Sequence, residues 1–333
     1  MTFDQILTAL KKKEYRPVYF LMGEESYFID QISDYITEHV LTDAEKGFNQ
    51  HILYGKDTDI DTIITYARRF PMMASHQVVV VREAQNIKKI EELEAYIKNP
   101  LQSTILVINY KYKSLDKRKS FSKLVDKNGV LFESKRIYDN KLPDWIKSYL
   151  ANRSFTIVPQ AAQLLAEYLG SDLSKVSNEL EKLIISLPAK TQITADHIEK
   201  NIGISKDYNI FELQNALGQR NILKSNQIIN HFAANPNANP LPRTISSLYQ
   251  FFMKLLTFHF LDDKSPTAAA SKLGVNSYFV KDYIAAARQY PIRKLVAIIG
   301  TLREFDMKSK GLGNVSSSAG DLQKELIYKI LHD

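Results

Sequence analysis

The sequence predicts an α/β domain on a mostly parallel sheet, followed by an all-α half. Three observations carry this reading. Short apolar runs alternate with helix-period segments through the first third, the run 78–81 is four consecutive valines, and strand signals stop after about Lys141. A continuous apolar run of that length suits a central strand buried on both faces, as parallel sheets covered by helices require. The strands are placed at 18–22, 51–54, 78–81, 104–108 and 130–133. Between them, apolar residues at helical spacing place helices over 27–40, 60–69, 87–98 and 117–125.

The second half reads as helices throughout. Segments 143–152, 159–169, 173–187 and 194–202 form a small bundle, several with proline in the first turn or Ser, Thr or Asp at a cap position. Further helices are placed at 211–217, 222–233, 241–262, 267–273, 277–287, 292–310 and 320–331, with a polar turn at 233–240. The chain therefore divides as 1–140, 141–206 and 207–333, and shows no internal repeat.

With 333 residues, 44% hydrophobic and 24% charged, the chain can build two or three cores and is neither disordered nor fibrous. It has no cysteine, which removes disulfides, thiol catalysis and thiolate metal sites together. No apolar run approaches membrane-spanning length, and the opening Met-Thr-Phe-Asp-Gln lacks the layout of a signal peptide, so a soluble, cytoplasmic protein is expected. Lysine and arginine exceed acidic residues by 44 minus 37, or +7, which allows contact with a nucleic acid backbone and equally describes a generally basic surface.

The first strand runs into Gly23 and then a helix, the layout of a phosphate-binding loop. Such a loop needs a second glycine, a lysine and a hydroxyl at fixed offsets, so that backbone N–H groups, a cation and a magnesium ligand surround the phosphates. Counted from Gly23 those positions hold Phe28, Ile29 and Asp30, and Glu24 and Glu25 bring negative charge to the loop. The buried strand that should end in a magnesium-organising acidic pair is followed by Arg82-Glu83, and an arginine cannot ligate magnesium. Asn109 could pass for a sensor of a terminal phosphate or serve as a turn residue at a strand end. Gly23, Phe28, Ile29, Asp30 and Arg82 thus read as a degenerate nucleotide site that binds nothing.

Other catalytic patterns are missing as well. The seven histidines show no helix-borne zinc spacing, no Gly-x-Ser-x-Gly elbow exists, and acidic pairs such as Glu91-Glu92 and Asp262-Asp263 sit in polar or helix-end contexts. No metal, no cofactor and no catalytic residue is expected. The segment Phe70-Pro71-Met72-Met73 stands apart from these. Pro71 ends the preceding helix near Phe70, and two methionines follow in a surface turn. Either they fold back onto the sheet as satellite core or they project as a flexible, polarizable plug into a partner's pocket.

Four stretches taken together resemble a known family. They are Tyr19-Phe-Leu-Met-Gly-Glu-Glu-Ser-Tyr-Phe-Ile-Asp30, Phe70-Pro-Met-Met-Ala-Ser-His-Gln-Val-Val-Val-Val-Arg-Glu-Ala84, Leu142-Pro-Asp-Trp-Ile146 and Leu302-Arg-Glu-Phe-Asp-Met-Lys-Ser-Lys-Gly311. In this order and spacing they resemble the delta subunit of the bacterial DNA polymerase III clamp loader. The resemblance implies an AAA+-like sheet domain (1–140), a helical lid domain (141–206) and a C-terminal helical collar used for oligomerisation (207–333). It implies no ATP hydrolysis by this chain, which would act as a subunit of an assembly with DNA-directed DNA polymerase (nucleotidyltransferase) activity. The implied partners are the sliding clamp (the beta subunit), the delta prime and gamma/tau subunits through the collar, and primed DNA within the complex.

The clamp contact falls on Met72 and Met73, flanked by Phe70 and Pro71; the family often carries Leu-Phe there, so the methionine pair is a departure. Arg118 lies in a region similar to the one where related subunits present an arginine to a neighbour's nucleotide, but the Ser-Arg-Cys triplet is absent and a solvated basic helix face is the safer reading. Two rivals remain from other classes, a divergent ATPase or nucleotide kinase and a stand-alone DNA-binding protein.

Overall fold

Alternation along parallel strands sends successive side chains to opposite faces, and the first half of the chain uses both. The computed structural model describes residues 1–314 and 316–332. It separates into one unit spanning Met1–Ile137 and a second from Tyr138 onward. The first unit holds β1 (Val18–Gly23), β2 (Gln50–Tyr54), β3 (Gln77–Arg82), β4 (Thr104–Lys111) and β5 (Val130–Ser134), all parallel, in the order β2-β3-β4-β1-β5. On one face Val18, Phe20, Met22, Val79, Val81, Leu106 and Ile108 pack with Ile63, Phe121 and Val125; on the other Tyr19, Leu21, Val78, Val80, Ile105 and Val107 pack with Ile6, Leu10, Ile29, Ile32 and Ile36. The four valines of β3 are fully buried, two to each face. At about 1.5–3 kcal/mol for each side chain removed from water, this layer sets the register of the sheet, because a one-residue slip would send every valine to the wrong face.

The helices covering these faces are α1 (Phe3–Lys11), α2 (Ser26–His39), α3 (Asp43–Asn49), α4 (Ile60–Ala67), α5 (Glu94–Ile97) and α6 (Ser120–Asn128). Two of them, α1 and α3, lie where no helix was expected. Each is started by a reciprocal cap: Gln5 accepts from the Thr2 N–H at 2.9 Å, and Glu45 accepts from the Thr42 N–H at 2.8 Å. A second difference lies at 87–98, which is not one helix. Two 3-10 turns, Ala84–Asn86 and Ile90–Leu93, precede the single turn α5, and the chain is broken by left-handed backbone at Glu83 and Lys89. Ile90, Leu93, Tyr96 and Ile97 still reach the core, since three-residue spacing serves a 3-10 turn as well as an α-helix.

Gly23 closes β1 at φ +125°, a conformation that disfavours any side chain. A Cβ there would fall 2.0 Å from the backbone oxygen of Ser134 on the neighbouring β5. The glycine is thus demanded by strand packing.

The second unit contains α7 (Leu142–Ala151), α8 (Pro159–Leu169), α9 (Leu173–Ser186), α10 (Ala195–Ile202), α11 (Ile210–Gly218), α12 (Ile222–Ala234), α13 (Leu241–His259), α14 (Pro266–Leu273), α15 (Val280–Gln289), α16 (Ile292–Ser309) and α17 (Ala319–His332). Proline sits in the first turn of α7, α8, α13 and α14, where its missing N–H is not needed. The expected end of strand structure needs one correction. Thr156–Ile157 and Gln192–Ile193 pair as two short parallel strands, too short for an alternating pattern to announce them. A single core runs through α11 to α17 around Leu217, Phe232, Phe252, Tyr290, Phe305 and Leu326.

Glu167 of α8 is a polar exception within this unit. Its Oε2 is buried with no hydrogen-bond partner among the described residues, its backbone carbonyl accepts from Arg243, and burial pushes its carboxyl up to about 7 against the pull of Gln163, Lys254 and Arg243.

Two predictions follow from these packings. Gly23→Ala should destabilise the chain by about 2–4 kcal/mol, measured as a lower urea midpoint, because both the positive φ and the Ser134 backbone oppose the methyl group. Glu167 is protonated more readily folded than unfolded, so folding gains from its proton at low pH and loses that gain as pH rises from about 4.5 to about 7. Glu167→Gln should therefore raise the unfolding free energy, read from urea denaturation, by more than about 1 kcal/mol at about pH 8 and by much less near pH 4.5.

Candidate functional site

In open parallel sheets, ligands bind outside the carboxyl ends of the strands, where loops and helix N-termini converge. Here the groups at that place are bonded to one another. The Gly23 N–H donates to the Lys113 carbonyl at 3.0 Å and the Glu24 N–H to the Ser134 carbonyl at 3.0 Å, while the Ser134 hydroxyl donates to the Glu25 carbonyl at 2.6 Å. Glu25 caps α2 with its own carboxylate, accepting the Tyr27 N–H at 3.1 Å. The helix N-terminus that would serve a phosphate already faces an anion.

Of the residues assigned to a degenerate nucleotide site, Gly23 and Arg82 lie at these strand ends, Asp30 reaches them from the first turns of α2, and Phe28 and Ile29 turn toward the sheet. Ile29 is fully buried, and the Phe28 ring meets Phe3 edge-on at 4.8 Å. Asp30 pairs with Lys111 of β4 at 2.6 Å, and Arg82 pairs with Asp34 at 3.2 Å. Burial pushes the Asp34 carboxyl above its usual range, with Asp30 and Glu38 adding to the effect and Arg82 opposing it. Asn109 is not a strand-end turn residue. It lies within β4, almost fully buried, and donates to the Ser33 hydroxyl at 2.9 Å. Lys111, Asp34 and Ser33 were not singled out in the sequence; the one available signal was that Asp30 and Asp34 share a helix face at i, i+4.

The second place is the loop between α4 and β3. Its helix stops at Ala67, earlier than Pro71 alone would require, and Arg68 and Arg69 turn the chain outward. Phe70 is 75% exposed, Met72 62% and Met73 fully so, while Pro71 is half-buried. Neither methionine folds back onto the sheet. Met73 sits at φ +52°, the left-handed region that few residues other than glycine, Asn or Asp occupy.

Three side chains from the body of the unit hold this loop. The Gln77 amide donates to the Tyr66 carbonyl at 2.5 Å, and the Tyr96 hydroxyl donates to the Ala67 carbonyl at 3.3 Å. Asn49, at the end of α3, accepts the Met72 N–H at 2.6 Å and donates to the Met72 carbonyl at 3.0 Å. Its neighbour Phe48 is 67% exposed. The result is an apolar projection on a fixed base. Burial holds the His76 imidazole below its usual value, and its ring meets the Tyr15 ring edge-on at 5.3 Å.

Arg118 lies outside both places. It is 90% exposed and doubly bonded to Asp116 two residues earlier, solvated as expected but in the turn before α6 and not on a helix face. Among the described residues no group of three His, Asp or Glu side chains is placed to hold a metal, and no helix is long and apolar enough to cross a membrane.

Comparison with known proteins bears on the same two regions. Residues 19–135 match the sequence model of the family described as DNA polymerase III, delta subunit, and residues 207–319 match that of the DNA polymerase III delta subunit, C-terminal domain. The chain is 29% identical over 321 residues to DNA polymerase III subunit delta of Bacillus subtilis (strain 168), covering 93% of this chain and 92% of the relative. It is 22% identical over 322 residues to a probable DNA polymerase III subunit delta of Aquifex aeolicus (strain VF5), covering 91% and 89%. In fold it is similar to a solved structure described as the Bacillus subtilis DNA clamp loader delta protein, with TM-score 0.59, 24% identity and full coverage of both chains. The first matched segment contains the Gly23 turn and the 68–76 loop, and with the second it spans well over half of the sequence: the chain belongs to the DNA polymerase III delta subunit family.

Proposed function

We propose that this chain is a clamp-loader delta subunit that binds the sliding clamp through the Met72–Met73 tip and holds the ring open for loading onto primed DNA, without hydrolysing ATP. The observation that carries the reading is the exposure of two adjacent methionines on a loop fixed to the sheet domain. A monomeric fold gains nothing from presenting them, whereas burial of both in a pocket gives about 3–6 kcal/mol before association costs. Methionine side chains adapt to a pocket that must be entered and left. Met72, Met73, Phe70 and Pro71 are the clamp-binding residues in this reading.

Opening a ring by binding requires that the subunit hold the open form better than the closed one. A preference of about 100-fold in affinity moves the equilibrium by about 2.7 kcal/mol, and equal affinity for both forms moves it not at all. The absence of ATP hydrolysis is supported by the strand ends, where Asp30, Lys111, Asp34 and Arg82 neutralise one another and Glu25 caps α2. Cooperation with ATPase subunits is then needed, and residues 207–333 are the collar that joins them, with 141–206 as a lid. Exposed apolar side chains on the collar helices, among them Leu223, Val296 and Tyr328, suit such joints, each burying roughly 1,000–2,000 Å². A cytoplasmic location, where the DNA is, follows from this role.

One feature favours a second reading: the sheet order β5-β1-β4-β3-β2 with a glycine turn after β1 is a scaffold on which nucleotide sites are built. Equilibrium dialysis of the isolated chain with labelled ATP separates the two, and saturable micromolar binding would favour a divergent ATPase. For the favoured reading, the Met72→Ala, Met73→Ala double variant should lose about 1 kcal/mol or more of binding to purified sliding clamp by calorimetry, with its thermal midpoint unchanged because both side chains are exposed. Unchanged affinity would place the contact on another surface.

A further inference from the structure

We propose that Asn49 is a positioning residue for the tip, its side-chain amide fixing the turn from which Met72 and Met73 project. The inference rests on the reading of the tip as the clamp contact. Asn49 is 1% exposed, yet it is polar and lies next to the exposed Phe48. Its Oδ1 accepts the Met72 N–H at 2.6 Å, and its Nδ2 donates to the Met72 carbonyl at 3.0 Å and to the Glu45 carbonyl at 3.0 Å. One amide therefore satisfies both backbone polar groups of a residue 23 positions away, as a neighbouring strand would.

The chemistry selects an amide. A carboxylate could accept from the N–H but not donate to the carbonyl, and an aliphatic side chain would leave both groups of Met72 to solvent. The bond to Glu45 also fixes Asn49 against α3, so the latch is held by a helix. Immediately after it, Met73 occupies left-handed backbone, which is unfavourable for a residue with a side chain and persists where the surroundings enforce it. The Gln77 side chain, at the start of β3, ties the far end of the loop back to Tyr66, Tyr96 holds the near end at Ala67, and Asn49 fixes its middle. Without the middle restraint the loop would sample other turns, and the apparent affinity for a pocket falls in proportion to the fraction in the competent one.

The test uses the full-length chain, purified sliding clamp, and binding measured by surface plasmon resonance on wild type, Asn49→Ala, Asn49→Asp, Met73→Ala and the Asn49→Ala, Met73→Ala pair. Asn49→Ala is expected to weaken binding about tenfold and Asn49→Asp at least as much, since its buried carboxylate would set an oxygen against the Met72 and Glu45 carbonyls to which the amide now donates. Met73→Ala should cost less affinity in the Asn49→Ala background than in wild type, a non-additivity that a general loss of stability would not produce. If Asn49→Ala melts well below wild type, Asn49→Ser, which keeps a hydroxyl able to donate to the Glu45 carbonyl, and its pair with Met73→Ala carry the same comparison. Wild-type affinity in the Asn49 variants, with Met73→Ala still impaired, would overturn the latch and leave the tip contact standing. Wild-type affinity in Met73→Ala and in the Met72→Ala, Met73→Ala variant would overturn the tip contact itself, and the latch with it.

Discussion

Burial of the parallel sheet on both faces is the constraint from which the first unit takes its organisation. With Val78 and Val80 committed to one layer and Val79 and Val81 to the other, neither face of β3 is left for a ligand or a partner. What remains available is the ends of the strands and the loops that leave them. The chain uses these two places in opposite ways. At the carboxyl ends of β3 and β4 it pairs charges internally, Arg82 with Asp34 and Lys111 with Asp30. At the amino end of β3 it sends Phe70, Met72 and Met73 outward.

The Gly23 turn joins these themes. A glycine after a first strand is most easily read as a relic of phosphate binding, but in this chain the residue is required for a different reason. Its Cα lies so close to the Ser134 backbone that no side chain fits, and Glu24 uses its N–H to extend that contact along β5. The packing of β1 against β5 thus keeps the loop geometry whether or not a phosphate is bound. A glycine turn after the first strand of this parallel sheet therefore needs no nucleotide to explain it.

How far the sequence could be read follows from which interactions are local. The five strands were legible because each is a run of apolar residues between turn signals, and the long helices because their apolar spacing is repeated several times. The short helices α1 and α3 were overlooked although Thr2 with Gln5 and Thr42 with Glu45 spell the cap motif; with two turns each, they show too little periodicity to stand out. At 87–98 periodicity misled, because left-handed backbone at Lys89 is set by tertiary packing and leaves no mark on apolar spacing. The site divides in the same manner. Met72 and Met73 are adjacent and conspicuous, whereas Asn49, Lys111 and Asp34 act through partners 23 to 81 positions away.

An exposed apolar pair poses a physical difficulty that the latch addresses. Flexible methionines on a flexible loop would lose much of their binding energy to ordering, at about 0.5–1.5 kcal/mol for each immobilised side chain and more for the backbone. Fixing the backbone in the free protein removes the larger part of that cost while leaving the side chains free to adapt. The arrangement at 68–77 has this division of labour: Gln77, Tyr96 and Asn49 hold main-chain atoms of Tyr66, Ala67 and Met72, and no hydrogen bond restrains the Met72 or Met73 thioethers among the described residues. A stiff main chain carrying soft side chains suits a contact that forms quickly and still releases.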